Sequence, residues 1–244
     1  MTAESKPQAA VRARTRRPIT PYLRSVGAVV WKDIRAEMRS RELINSMILF
    51  TIMTVLIFSL ALELDAKSRR SDSTVAGILW VTIAFAGILG LGRSMASEKD
   101  RGSLDALLLA PIARSALFFG KMLSNLLFVL VVAVVLMFLL TVLFDATVIR
   151  PLVLLMVLLG SIGFTTVGTL VSSMSVHARA RETLLPILLL PVVLPVLISA
   201  VRGTNALLNE LPSEDWMPWL QLLVIADLLY LAAAYWLFDF IVEE

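Results

Sequence analysis

The stretch Glu98–Pro111 reads E-K-D-R-G-S-L-D-A-L-L-L-A-P and lies between two hydrophobic runs, each long enough to cross a bilayer. Ser97 with Asp100 three residues on, or Ser103 alone, can cap a helix start by accepting from backbone N–H groups that have no partner within the helix. Gly102 permits a sharp change of direction there. Leu104, Leu107 and Leu108, with Pro111 closing the register, form an apolar stripe at helical spacing, and Asp105 and Arg101 lie off it. A helix this short is marginal in water unless its apolar face docks. Two surfaces suit it: a partner protein's groove reached from the cytoplasm, or the membrane surface, where the stretch would be a turn between two spans.

Outward from that stretch the composition decides the class. Hydrophobic residues are 58% of the 244, charged residues 17%, and mean hydropathy is +0.85. A soluble domain carries about a quarter charged residues, so the sequence predicts an all-α integral membrane protein. Six hydrophobic segments fall at Leu43–Leu62, Thr74–Gly92, Ser115–Phe144, Leu152–Met174, Thr183–Val201 and Trp219–Val242. At about 1.5 Å rise per residue each covers roughly 30 Å of hydrocarbon, and the third is long enough to tilt or protrude. The expected organisation is a disordered basic tail over 1–20, rich in Arg12, Arg14, Arg16 and Arg17, followed by one membrane domain over 21–244 with no room for a soluble catalytic domain. No apolar region follows the Arg16-Arg17 pair closely enough for a twin-arginine or cleavable signal. Cysteine is absent, which excludes disulfides, thiolate metal sites and a Cys nucleophile.

Between tail and first span, Tyr22–Glu42 alternates Val26, Val29, Val30, Ile34 and Met38 with Arg24, Lys32, Asp33, Arg35, Glu37, Arg39 and Arg41. That pattern predicts an amphipathic helix lying along the interface as an anchor, with Trp31 near headgroup depth. Sixteen Lys and Arg fall on the side of the N-terminal region and the loops 93–114 and 175–182, against five on the other. The positive-inside bias places both termini and Glu98–Pro111 in the cytoplasm, although the tail dominates the count. Pro186, Pro191 and Pro195 interrupt the fifth segment, where a bent helix or a moving gate is expected. Residues 202–218, with Leu207, Leu208, Leu211, Trp216 and Trp219, read as an interfacial loop on the outer side.

Asp227 is the one ionisable side chain well inside a span, since Lys121 and Asp239 lie close enough to span ends to snorkel. An acid at a helix centre costs on the order of 2.5–3.5 kcal/mol on insertion scales, so Asp227 is expected to face the bundle or a wet cavity, as an inter-helix hydrogen bond or a relay. Gly160, Ser161, Gly163 and Gly168 suit close helix packing. Ser161 has no histidine at membrane depth to serve as base, because the single His177 lies beside Arg179 in a loop, so an intramembrane hydrolase is rejected. His177 lacks the neighbours of a metal or haem ligand. No G-x-x-x-x-G-K-[ST] occurs, so the chain is not expected to be an enzyme or to hold ATP through a P-loop.

Beyond these arguments, Trp31–Glu42 (WKDIRAEMRSRE), Gly90–Ser94 (GLGRS), the Glu98–Pro111 stretch, Gly120–Asn125 (GKMLSN), Val167–Leu170 (VGTL), Arg179–Ile187 (RARETLLPI) and Leu237–Glu244 (LFDFIVEE) together resemble the haem exporter protein B family, CcmB. The likeness runs in order over about residues 28–244 and leaves out the basic tail. It implies a six-helix ABC-2-type permease subunit of the bacterial cytochrome c maturation complex, in the inner membrane, whose loop between second and third spans docks on a separate ABC ATPase. Carried over residue by residue, Glu98, Asp100, Gly102, Ser103, Leu104, Asp105 and Leu108 match the family's loop. Together with Arg101 and the stripe's Leu107 they form the candidate coupling site. The implied partners are the ATPase, a haem-handling membrane protein and, indirectly, a haem chaperone. Haem is the implied cargo, with no cofactor on this chain and ATP on the partner. The alternatives are an ABC-2-type exporter of a lipid, polysaccharide or drug, and a non-transporting membrane scaffold.

Overall fold

The computed structural model describes residues 19–63, 72–100, 113–175 and 181–241, and these are almost entirely helical. Seven helices follow in order among them: α1 (Ile19–Ser40), α2 (Glu42–Glu63), α3 (Asp72–Asp100), α4 (Arg114–Phe144), α5 (Pro151–Ser175), α6 (Arg181–Leu208) and α7 (Ser213–Ile241). Six of them, α2 to α7, are long and apolar enough to cross a membrane. The chain is thus an all-α, multi-pass membrane protein preceded by one amphipathic helix, as the hydropathy pattern predicts.

The breaks between helices have local causes. Arg41 sits in the left-handed region at φ 54° and turns α1 into α2. The Ile44 N–H, orphaned at the start of α2, donates to Glu37 Oε1 at 2.9 Å, so a carboxylate from α1 caps the next helix. Asp145, left-handed at φ 53°, closes α4. Pro151 then opens α5 where its missing N–H costs nothing, and the Leu154 N–H bonds back to Arg150.

Helices α3 and α5 form the interior, with 72% and 67% of their spans buried, whereas α2 and α7 are peripheral at 28% and 22%. Residues 160–169 of α5 are buried on nearly every side, among α3, α4, α6 and α7. Small residues make this possible. A Cβ at Gly160 would collide with the Trp80 ring, one at Gly168 with Leu91, and one at Gly87 with Phe164. Leu49, Met53, Leu56 and Leu60 of α2 and Val134, Phe138 and Val142 of α4 turn outward along helical rows, the surface that hydrocarbon would cover.

Two sequence boundaries need correction. The fifth span does not stop at Val201: α6 continues to Leu208, and α7 starts at Ser213 rather than Trp219. The outer loop expected over 202–218 is therefore a turn of four residues, closed by the Leu211 N–H bonding to the Ala206 carbonyl at 3.0 Å. The reason is packing. Gly203 admits Met156 and Trp219, and the Thr204 hydroxyl accepts the buried Trp80 Nε1–H at 3.0 Å, so residues that look loop-like on paper are interior contacts. Pro186, Pro191 and Pro195 all lie within the one helix α6. Near them, the Tyr230 hydroxyl of α7 donates to the Val192 carbonyl at 2.6 Å.

Candidate functional site

Glu98 and Asp100 belong to the last turn of α3, which ends at Asp100. Arg101, Gly102, Ser103, Leu104, Asp105, Leu107 and Leu108 lie outside the described residues, and the chain is described again from Ala113, where α4 opens at Arg114. The frame holding the two ends of the stretch is well defined. Arg93, less than two turns before Glu98, reaches Glu42 at the start of α2 at 3.4 Å. The Ser172 hydroxyl of α5 donates to the Leu91 carbonyl of α3 at 3.4 Å, and Asn125 Nδ2 of α4 donates to Thr169 Oγ1 of α5 at 3.0 Å. At the depth where the chain leaves α3 and enters α4, polar bonds tie α2, α3, α4 and α5 together.

The same region holds a group that the sequence reading misplaced. Lys121 does not snorkel. Its side chain is 7% exposed, and Nζ lies 3.1 Å from Asp33 Oδ2, on an Asp33 side chain also 7% exposed. Asp33 Oδ1 meets a second ammonium, Lys32 Nζ, at 3.2 Å on the more exposed side. The buried face of α1 is Val29, Asp33 and Glu37, one residue per turn, while Trp31 and Met38 point outward. Helix α1 is more than an anchor: two of its acids are structural, one paired to α4 and one capping α2. The available signal was that Val29, Asp33 and Glu37 share a helix row; the partner on Lys121, 88 positions away, was not visible.

Asp227 faces the bundle as expected, 4% exposed. It lies where α5, α6 and α7 meet. A Cβ at Gly163 of α5 would collide with Asp227 Oδ1 and approach Val196 of α6 at 3.1 Å, so the carboxylate occupies the notch that Gly163 leaves. The inter-helix hydrogen bond expected of it does not appear: neither Asp227 oxygen has a hydrogen-bond partner among the described residues. Ser161 Oγ is likewise buried without one. His177 lies outside the described residues.

Near the junction of α6 and α7, Arg150 bonds Glu210 at 2.9 Å and the Leu207 carbonyl at 3.3 Å. These residues, with Leu152, Leu211 and Trp216, line an open apolar cleft of about 490 Å³.

A sequence model of the CcmB protein family matches residues 24–236, which takes in most of α1, the Glu98–Pro111 stretch and most of α7. The heme exporter protein B of Pseudomonas aeruginosa is 31% identical over 184 residues, covering 75% of this chain and 81% of that protein. The heme exporter protein B of Bradyrhizobium diazoefficiens is 27% identical over 190 residues, covering 75% and 82%.

Proposed function

The chain belongs to the CcmB family, and from that premise we propose that it is the membrane permease subunit of an ABC-type complex that uses ATP hydrolysed by a separate subunit to export haem, or to release a haem-loaded chaperone, in cytochrome c biogenesis. It is a multi-pass membrane component of a haem export system and not itself an enzyme. The bacterial inner membrane is its place, with both termini and Glu98–Pro111 on the cytoplasmic side, following the excess of Lys and Arg in those segments.

The observation that carries the reading is the family match across the whole membrane bundle, including the stretch between α3 and α4. Leu104, Leu107 and Leu108 seat in a groove of the ATPase, and Glu98, Asp100, Arg101, Ser103 and Asp105 set the register by charge and hydrogen bonding. Gly102 permits a change of direction between them. When nucleotide closes the ATPase, the stretch is displaced, and α3 and α4 follow because each is continuous with one of its ends. A haem-handling membrane protein in the same complex receives or presents the cargo.

Leu104→Glu combined with Leu108→Glu removes the apolar contact without touching a span. The expected outcome is loss of co-purification with the ATPase while the protein stays in the membrane at normal level. Unchanged co-purification would refute the docking role of the stretch.

A further inference from the structure

We propose that Asp33 and Lys121 are positioning residues that lock α1 to α4, so that the amphipathic helix and the span following the coupling stretch move as one body. The functional part of this rests on the reading above; the mechanical part does not.

Three contacts define the lock. The Lys121 ammonium and the Asp33 carboxylate meet at 3.1 Å with both side chains withdrawn from the surface. Immediately before Lys121, Gly120 lets α1 approach until a Cβ there would stand 2.7 Å from Val29 Cβ and 3.2 Å from the Val26 carbonyl oxygen. One turn after Lys121, Asn125 fixes α4 to Thr169 of α5. The beginning of α4 is thus held on one side by α1 and on another by the central helix. At its far end α1 is tied to α2 through Glu37 and the Ile44 N–H.

The chemistry explains why such a lock resists slipping. An apolar seam tolerates a small slide, because one methyl replaces another at little cost. Separating Asp33 from Lys121 leaves the buried Asp33 carboxylate in a low-dielectric environment with the outer Lys32. Replacing both charges by apolar groups removes that penalty, so a buried pair serves register more than stability. A displacement delivered to the first turns of α4 therefore carries α1 with it instead of shearing the two helices apart.

The chain has no cysteine, so spin labels can be placed on Ala28→Cys of α1 and Leu127→Cys of α4, both exposed sites, without removing native thiols. Distances are measured first on the membrane-reconstituted chain alone and then in complex with the ATPase, with and without trapped ATP. The unaltered pair should give one narrow distribution that nucleotide does not shift. Asp33→Asn should broaden it, the charge-swapped Asp33→Lys/Lys121→Asp should narrow it again, and Asp33→Leu/Lys121→Met should keep the protein folded but leave the distribution broad. A distribution that stays equally narrow in Asp33→Asn and in the apolar pair, or that shifts on adding ATP to the unaltered pair, would overturn the proposal. Failure of the ATPase to bind would refute the functional reading while leaving the measurement on the chain alone to decide the lock.

Discussion

Asp33 and Asp227 are buried to nearly the same degree, 8% and 4% exposed, yet they are opposite cases. Asp33 has ammonium groups at 3.1 and 3.2 Å; Asp227 has no hydrogen-bond partner among the described residues. The first lies in a helix crowded with charge, where one more acid looks solvated, and the second in an apolar run, where it stands out. A conspicuous charge in a membrane sequence marks burial, whereas partnership depends on residues distant in the chain. The acid that looked ordinary is the one that fastens two helices. The one that looked special occupies a notch cut by a glycine, and no described contact offsets the cost of its burial.

The largest effect is expected at Lys121. Lys121→Met strands Asp33 with Lys32 alone, and removing one member of a buried pair costs about 3 kcal/mol or more. Thermal unfolding in detergent should show the loss; an unchanged midpoint would mean that the pair is no more than a surface contact. A smaller effect is expected at the other acid's notch. Gly163→Ala pushes a methyl against Asp227 Oδ1 and should cost about 1–3 kcal/mol by overpacking. Adding Asp227→Ala should recover most of that cost, because the two sites are in contact. Independent, additive losses would show that Asp227 does not fill the notch. The smallest effect is expected of Asp227→Asn, which keeps the shape and removes the charge. Its unfolding midpoint should equal or exceed that of the unaltered protein, and a clear drop would reveal a partner for the carboxylate.

Much of the fold was legible because a bilayer demands about 20 apolar residues per crossing, and each run announces itself. The third span, Ser115–Phe144, matches the structure at both ends. The end of the fifth and the start of the sixth were misread because Gly203, Thr204 and Asn205 carry the composition of a loop. The packing of Gly203 against Met156 and Trp219 and of Thr204 against Trp80 depends on helices elsewhere in the sequence. For α1 the helix was legible and its buried face was not, since Asp33 and Glu37 carry charge although they share the row of the buried Val29. The bundle-facing side of Asp227 followed from the cost of exposing an acid to lipid. The Glu98–Pro111 stretch stands out in the sequence by spacing and by family likeness, while its residues 101–111 lie outside those described.

The central claim is that Glu98–Pro111 faces the compartment that holds the ATPase, and the absence of cysteine makes it directly testable. Asp105→Cys would carry the chain's one thiol, to be exposed to a membrane-impermeant maleimide in intact cells and in inverted membrane vesicles. Labelling is expected in inverted vesicles and not in intact cells. Labelling from outside intact cells would place the stretch on the wrong face and contradict the account.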